Sequence, residues 1–104
     1  MSIETTIEEG VAFIKVSGDL DTETGPLLLD AGRQALTDFV NTLRIDLSEV
    51  TFMDSSGLNA LIGIRNLALA RHTLIVDHPS AKVRRIFEVT GLTQAFGITE
   101  PGLA

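Results

Sequence analysis

The residues in this sequence best suited to chemistry are four small polar ones in mid-chain, Asp54-Ser55-Ser56-Gly57. They follow an apolar run with β-branched residues, typical of a buried strand, and precede a helical pattern over 58–71. Aspartate and serine are preferred at helix N-caps, because a side-chain oxygen accepts hydrogen bonds from the free amides of the first turn. Two interpretations remain open: a structural strand-to-helix turn, or a serine hydroxyl exposed at a helix N-terminus and open to modification.

A catalytic role for the serine is disfavoured. The Gly-x-Ser-x-Gly elbow is absent, and so are the P-loop and Gly-x-Gly-x-x-Gly phosphate motifs. A triad of Ser55, His78 and Asp77 needs three groups that converge on one hydroxyl, and Asp77 and His78 are neighbours in the chain. The sequence therefore predicts a protein that is not an enzyme and that has no cofactor.

Acidic residues cluster around the end of an early strand, at Asp19, Asp21 and Glu23. Their spacing lacks the Asp-x-Asp-x-Asp-Gly…Glu pattern of a calcium loop, so no metal site is predicted. Three interpretations stay open: a solvated turn, a contact surface, or a loop that helps to hold a divalent ion brought by a partner.

Composition indicates one small domain. The chain has 104 residues, of which 44% are hydrophobic, and it has no cysteine, which fits a reducing compartment. The N-terminus lacks the basic and apolar regions of a signal peptide. The longest helical apolar stretch is interrupted by Asn59, Arg65 and Asn66, which argues against membrane insertion. We expect a cytoplasmic protein.

Charge is unevenly distributed along the chain. Residues 1–60 hold three bases and eleven acids, 3 − 11 = −8, and residues 61–104 hold five bases and three acids, 5 − 3 = +2. The acidic first half of the chain makes nucleic acid an improbable partner. It favours a partner protein with a basic surface patch. With five Phe and no Trp or Tyr, no base-stacking platform is evident.

The order of elements predicts an α/β fold. The expected strands are 3–8, 11–16, 43–47, 73–76 and a short 97–99, the expected helices are 25–40, 57–71 and 80–90, and 100–104 is expected to be a frayed tail. Strands that alternate with helices favour a mixed, mainly parallel sheet of four to five strands that begins with a hairpin.

Two helices carry further predictions. The first has its expected buried face at Leu28, Ala31, Gly32, Ala35 and Phe39, and Gly32 indicates close packing on a sheet. The second has an apolar surface wider than one packed face requires, so we expect that neighbouring elements cover both flanks or that part of it meets a partner.

The string Asp46-Leu47-Ser48-x-Val50-x-Phe52-Met53-Asp54-Ser55-Ser56-Gly57-Leu58 resembles the signature of the STAS domain, in particular of bacterial anti-anti-sigma factors, also called anti-sigma factor antagonists. Gly18-Asp19-Leu20-Asp21 resembles the acidic turn of the family, and the stretch 78–92 resembles its third helix and exit. The resemblance spans nearly the whole chain. It implies one STAS domain over residues 1–104, with helices packed mostly on one side of a single sheet.

The resemblance also implies a covalent switch. Family members bind an anti-sigma factor that is also a serine kinase, which holds the ATP, and so free the sigma factor; a PP2C-type phosphatase reverses the modification. The phosphorylated serine maps to Ser55, with Asp54, Ser56 and Gly57 forming the switch turn. The candidate partner-binding residues are Asp19, Asp21, Leu58, Asn59 and Ile62. A monomer or weak dimer is expected. The alternative is a STAS subunit of an ABC-type membrane transport complex, or a stress-signalling scaffold, without phosphorylation.

Overall fold

A four-stranded sheet organises the computed structural model, which describes residues 2–69, 71–96 and 98. The strands are β1 (Ser2–Glu8), β2 (Val11–Leu20), β3 (Thr42–Met53) and β4 (Thr73–Asp77), and they lie in the order β1-β2-β3-β4. The helices are α1 (Gly25–Ala35), α2 (Ser55–Ala68) and α3 (Ala81–Thr90), followed by a short 3-10 helix at Gln94–Phe96.

The sheet is mixed and mainly parallel. β1 pairs with β2 in antiparallel fashion, and β2–β3 and β3–β4 are parallel. The hairpin between β1 and β2 turns through Glu9 and Gly10, whose φ angles are 48° and 82°. Two positive φ values in a two-residue loop suit the right-handed twist of the flanking strands. The predicted N-terminal hairpin and fold class are confirmed.

Only one face of the sheet contributes to the hydrophobic core. Along β2, Ala12, Ile14 and Val16 are buried, whereas Phe13 and Lys15 between them are exposed. The buried strand residues belong to the same core cluster as the buried residues of the helices, which are Leu28, Ala35, Leu61, Ile64, Val83 and Phe87. The described helices therefore lie on one side of the sheet, and none of them covers the other face.

Close contact between α1 and α2 depends on Gly32. A Cβ at this position would lie 2.7 Å from Cγ1 of Ile64, a separation that real Cβ atoms do not reach. From the sequence, Gly32 was predicted to pack closely against the sheet, whereas in the structure it packs closely against α2. The neighbour that needs the space is a helix.

The prediction of a helix over 25–40 was wrong in its last turn, because α1 ends at Ala35. The amide of Leu36 still donates to the carbonyl of Gly32 at 3.1 Å, but the ψ angle of Leu36 is 69° and the chain turns away. Phe39, predicted to be buried at helical spacing, is 89% exposed, and Val40 is 3% exposed.

β3 is longer than predicted, because two bulges interrupt the alternating pattern from which its end was predicted. The sequence placed the strand at 43–47, where buried and exposed residues alternate, but pairing continues to Met53. The register with β2 shifts by one residue between Lys15 and Ser17, and again between Gly18 and Asp19. Each extra residue interrupts the alternation, so two exposed residues separate Leu47 from Val50, and two separate Val50 from Met53. β2 likewise extends past the predicted end at Val16, to Leu20.

α2 begins at Ser55, two residues before the predicted start at 57. Its apolar residues fall into a buried set and an exposed set. Leu61 and Ile64 are buried, whereas Leu67 and Leu69 are 51% and 62% exposed. α3 ends as predicted at Gly91, which has a φ of 72°. Ile98 is not in a strand, and the rest of the predicted strand 97–99 and the tail 100–104 lie outside the described residues. Among the described residues, no helix has the length and apolar character needed to span a membrane.

Candidate functional site

Asp54 joins the end of β3 to the start of α2. Its amide donates to the carbonyl of Leu20 at 3.3 Å, which ties the turn to the end of β2. Its backbone is extended, and its Oδ1 accepts hydrogen bonds from the amides of Ser56 at 2.9 Å and Gly57 at 3.3 Å. The carboxylate therefore caps α2 and satisfies two of the amides that a helix start leaves free.

The two serines that follow differ in environment. Ser55 is the first residue of α2 and is exposed, and its hydroxyl forms no hydrogen bond with another described residue. Ser56 is half-buried, and its Oγ lies 3.2 Å from Oγ1 of Thr22 in the loop after β2. Ser55 is the more exposed of the two serines, and it lies at the positive end of the helix dipole.

Gly57 allows α2 to begin directly against the sheet. A Cβ at this position would lie 2.5 Å from the carbonyl oxygen of Leu20 and 2.8 Å from Cγ of Met53. The first of these atoms is backbone and cannot move aside like a flexible side chain. Only glycine fits, and it fixes the start of α2 against the ends of β2 and β3.

Asp21 organises its own loop. Its Oδ1 accepts hydrogen bonds from the amides of Glu23 at 3.0 Å and Thr24 at 3.2 Å, and from the hydroxyl of Thr24 at 3.1 Å. The hydrogen bond from the Thr24 amide, supported by the other donors, lowers the pKa of Asp21 below its usual range. Asp21 is therefore ionised at neutral pH and engaged within the loop.

Asp19 presents its carboxylate differently. The side chain is exposed, and its Oδ1 accepts a hydrogen bond from Oγ1 of Thr51 at 3.0 Å. Within the described part of the chain, no group of three or more His, Asp or Glu side chains could hold a metal ion.

The loop after β2 meets the first turns of α2 at a shallow concavity of about 310 Å³. Its lining includes Thr22, Pro26, Leu29, Ser56 and Asn59. The predicted partner-binding residues of α2 thus have different environments. Asn59 is exposed beside this concavity, whereas Leu58 and Ile62 are half-buried and pack against the core.

Phe52 is a surface residue that the sequence predictions missed. It is 50% exposed and lies opposite Asp19 in the β2–β3 ladder, three residues before Ser55. The second bulge turns Thr51 and Phe52 both outward, while Met53 is buried. A signal was present, because two consecutive apolar residues of an extended strand cannot both face the same core.

The alternative catalytic triad does not form. The carboxylate of Asp77 accepts two hydrogen bonds from the guanidinium of Arg44, at 2.8 and 2.7 Å. Asp77 pairs in the β3–β4 ladder with Asp46, seven residues before Met53. At about 3.3 Å per strand residue, Asp77 lies about 20 Å from the start of α2. Its carboxylate and Ser55 belong to separate parts of the surface.

Comparisons with known proteins agree with the fold. A family model described as "Mlab, STAS domain" matches residues 3–100. The anti-sigma-B factor antagonist of Staphylococcus aureus (strain NCTC 8325 / PS 47) is 31% identical over 101 residues, which cover 96% of this chain and 94% of that protein. The anti-sigma-B factor antagonist of Listeria monocytogenes serovar 1/2a is 35% identical over 86 residues, 82% of this chain and 75% of that protein.

The fold of this chain is also similar to that of a solved structure. The crystal structure of an anti-sigma factor antagonist from Mycobacterium paratuberculosis superposes with a TM-score of 0.79 at 30% identity, and covers 98% of this chain and 86% of that one. The chain belongs to the STAS domain family, and within it to the anti-sigma factor antagonists. The named relatives are regulators that antagonise an anti-sigma factor, so this chain is classed as a regulatory protein and not as an enzyme.

Proposed function

We propose that this protein is an anti-sigma factor antagonist controlled by phosphorylation of Ser55. The unmodified chain binds an anti-sigma factor that is also a serine kinase, and the bound kinase releases its sigma factor. Phosphorylation of Ser55 stops this binding, and a PP2C-type phosphatase restores it. The relatives named as anti-sigma-B factor antagonists support the choice of an anti-sigma factor as partner.

The observation that carries the proposal is the exposure of Ser55 at the start of α2 while its neighbours are engaged. Asp54 caps the helix, Ser56 contacts Thr22, and Gly57 packs against Leu20. The Ser55 hydroxyl forms no hydrogen bond within the described part of the chain, so modification would break none there. A kinase can therefore reach it without unfolding the turn, which supports Ser55 over Ser56 as the acceptor.

The chemistry of the cycle needs little from this chain. The kinase transfers the γ-phosphoryl group of its ATP to Oγ of Ser55, which forms a phosphate ester and leaves ADP, while a base on the kinase or water takes the hydroxyl proton. The phosphatase hydrolyses the ester with water and releases inorganic phosphate. This chain supplies the Ser55 hydroxyl and keeps it at a fixed position at the start of α2.

Added charge at Ser55 should alter recognition and leave the fold intact. A phosphate adds about −1.5 to −2 charges, which the N-terminus of a helix accommodates. No Arg or Lys lies within eight residues of Ser55, and Asp54 is adjacent. A local arginine clamp is therefore disfavoured, and interference with the partner surface is favoured. If the partner surface that meets Ser55 is apolar or acidic, repulsion and desolvation of about 3 kcal/mol would weaken binding roughly 100-fold.

The surface around Ser55 has the composition of a docking site. Phe52 offers exposed apolar area, Asp19 offers a carboxylate, and Asn59 offers an amide beside the concavity near Thr22. Residues 1–60, which supply these side chains, carry a net charge of −8. A partner fits this arrangement if its apolar centre faces Phe52 and Ser55, where a phosphate is costly to desolvate, and its basic groups lie toward Asp19.

Phosphate mapping tests the proposal directly. The protein is incubated with candidate anti-sigma factor kinases and ATP, and the modified residue is located by mass spectrometry. We expect the label on Ser55, its loss in Ser55→Ala and its retention in the matched control Ser56→Ala. Label that persists in Ser55→Ala would overturn the assignment.

Binding of a charged variant separates the switch from the transport alternative. Ser55→Asp should weaken binding to the anti-sigma factor about 100-fold, with an unchanged circular dichroism spectrum. Asn66→Asp adds the same charge near the other end of α2 and should leave binding within about twofold. If Ser55→Asp binds the anti-sigma factor as well as the wild type does, or if the chain instead holds a transporter ATPase regardless of charge at Ser55, the proposed switch is wrong.

A further inference from the structure

The sheet face turned away from the helices carries an ordered set of side chains, which we call the open face. One row across the four strands consists of Thr6, Phe13, Arg44 and Ile75, which are successive partners in the ladders from β1 to β4. The next row consists of Glu4, Lys15, Asp46 and Asp77, paired in the same way. The twisted sheet makes this face concave, with a cavity of about 630 Å³.

Apolar surface remains uncovered on the open face. Phe13 is 39% exposed in the second strand of the sheet, and Val11 and Ile75 on the same face are only half-buried. Parallel strands such as β2, β3 and β4 usually have both faces covered, because their crossover helices occupy both sides. Here the described helices all pack on the other side. This face has the features of one half of an interface.

The charge of the open face is acidic. Its cations are already paired, Lys15 with Glu49 at 2.7 Å and Arg44 with Asp77 at 2.7 Å. With Glu4, Glu8 and Asp46, the charges sum to 2 − 5 = −3. Glu4 and Glu8 form no ion pair with any described residue. An occupant must therefore bring positive charge to the β1 side of the face.

We propose that the open face is a second docking surface, which binds a basic amphipathic helix of a partner protein. The apolar stripe of the helix would cover Phe13 and Ile75, and its Lys or Arg side chains would reach Glu4 and Glu8. Four strands spaced about 4.8 Å apart give a width of about 15 to 20 Å, which three to four helical turns span. A second copy of this chain fits poorly face to face, because −3 would meet −3.

This surface is separate from the switch. Along β2, its rows at Phe13 and Lys15 lie about 13 to 20 Å from Asp19, which belongs to the proposed docking surface of the switch, and Ser55 itself begins a helix packed on the opposite face. Docking here should therefore not respond to charge at Ser55, and the two partners could bind the same molecule. The proposal does not depend on the proposed phosphorylation.

A synthetic probe tests the surface. ¹⁵N-labelled protein is titrated with an amphipathic peptide of Leu and Lys, about 18 residues long, and amide shifts are followed by NMR. A peptide of the same composition in scrambled order serves as the control. We expect saturable shifts at Thr6, Phe13, Arg44 and Ile75 with the amphipathic peptide only, and the same dissociation constant in Ser55→Asp.

Two sets of variants separate a specific site from general attraction between opposite charges. Phe13→Thr should weaken peptide binding about tenfold, and Glu4→Gln/Glu8→Gln about fivefold, because they remove the apolar contact and two charges respectively. Glu23→Gln/Glu88→Gln removes two charges elsewhere and should change binding less than twofold. If Phe13→Thr fails to fold, as judged by circular dichroism, the glutamine variants and the shift map decide the question.

Three results would overturn the proposal. Equal weakening by the two glutamine pairs would mean non-specific attraction, and shifts centred on the start of α2 would place the peptide at the switch. Self-association of the wild type that is lost in Phe13→Thr or in Glu4→Gln/Glu8→Gln, measured by light scattering, would show that a second copy covers the face.

Discussion

The backbone at Gly57 lies so close to the carbonyl oxygen of Leu20 that an added Cβ would come within 2.5 Å of it. This contact joins the first turn of α2 to the end of β2, and Asp54 strengthens the junction through its own amide. The site that carries the exposed serine is therefore rigidly attached to the sheet. A change of charge at Ser55 acts on a fixed surface.

Gly57→Ala should destabilise the protein. Overpacking against backbone typically lowers the free energy of unfolding by about 1 to 3 kcal/mol, and we expect about 2 kcal/mol here. Gly63→Ala is the matched control in the same helix, because its Cβ would meet only the tip of Leu29, at 3.1 Å. Urea unfolding of both variants measures the difference. Equal stabilities would contradict the proposed close contact.

Ser55→Asp should not destabilise the fold. A negative charge in the first turn of a helix is favourable, and we expect the free energy of unfolding to rise by about 0.5 kcal/mol at low salt. Asn66→Asp places the same charge in the last turn of α2 and should lower it by about 0.5 kcal/mol. Urea midpoints compare the two. A loss above about 1 kcal/mol in Ser55→Asp would show that the hydroxyl is not free at the surface.

The Asp21 loop should weaken in acid. Hydrogen bonds from Thr24 and Glu23 lower the pKa of Asp21 in the folded protein, so its contribution to stability is present at neutral pH and is lost as the pH falls through that lowered pKa. Asp21→Asn, whose neutral amide accepts more weakly, should be less stable than the wild type near pH 7. The difference should shrink in acid. A difference in unfolding free energy that stays constant down to acid pH would contradict this role.

The neighbours Phe39 and Val40 should respond oppositely to substitution. Phe39 is 89% exposed, so Phe39→Ser should change the free energy of unfolding by less than about 0.5 kcal/mol. Val40 is 3% exposed, so Val40→Ala should lower it by about 2 kcal/mol. Thermal unfolding followed by circular dichroism measures both. A large loss in Phe39→Ser would favour the longer helix that the sequence predicted.

The fold was predictable from local sequence wherever a single residue type determines the backbone conformation at a turn or at a helix end. Gly10 marks the hairpin, Pro26 marks the start of α1 and Gly91 ends α3. The end of α1 was not predictable in this way, because Phe39 continues the helical spacing although the chain leaves the helix at Leu36. The spacing of apolar residues in a sequence shows which positions could share one helix face. It does not show at which residue the helical hydrogen bonds end.

The turn at 54–57 was largely predictable from the sequence. The environment of the residues around this turn was less predictable. The residue types at 54–57 indicate a helix cap and leave open whether a serine is exposed; in the structure Asp54 caps α2 and Ser55 is exposed. Phe52 was missed because its orientation depends on a bulge, and a bulge is a property of the pairing between two strands. Asp21 was predicted as a partner-binding residue from its position in the acidic turn, and residue type alone did not show that three donors hold its carboxylate inside the loop.

The arrangement β1-β2-β3-β4 follows the order of the chain, so no strand is inserted between two that precede it in sequence. During synthesis on the ribosome, each new strand can add to the outer edge of those already emerged, and no finished pair has to reopen. We expect the nascent domain to assemble progressively from its N-terminal hairpin, with β4 completing the sheet as the last of these strands.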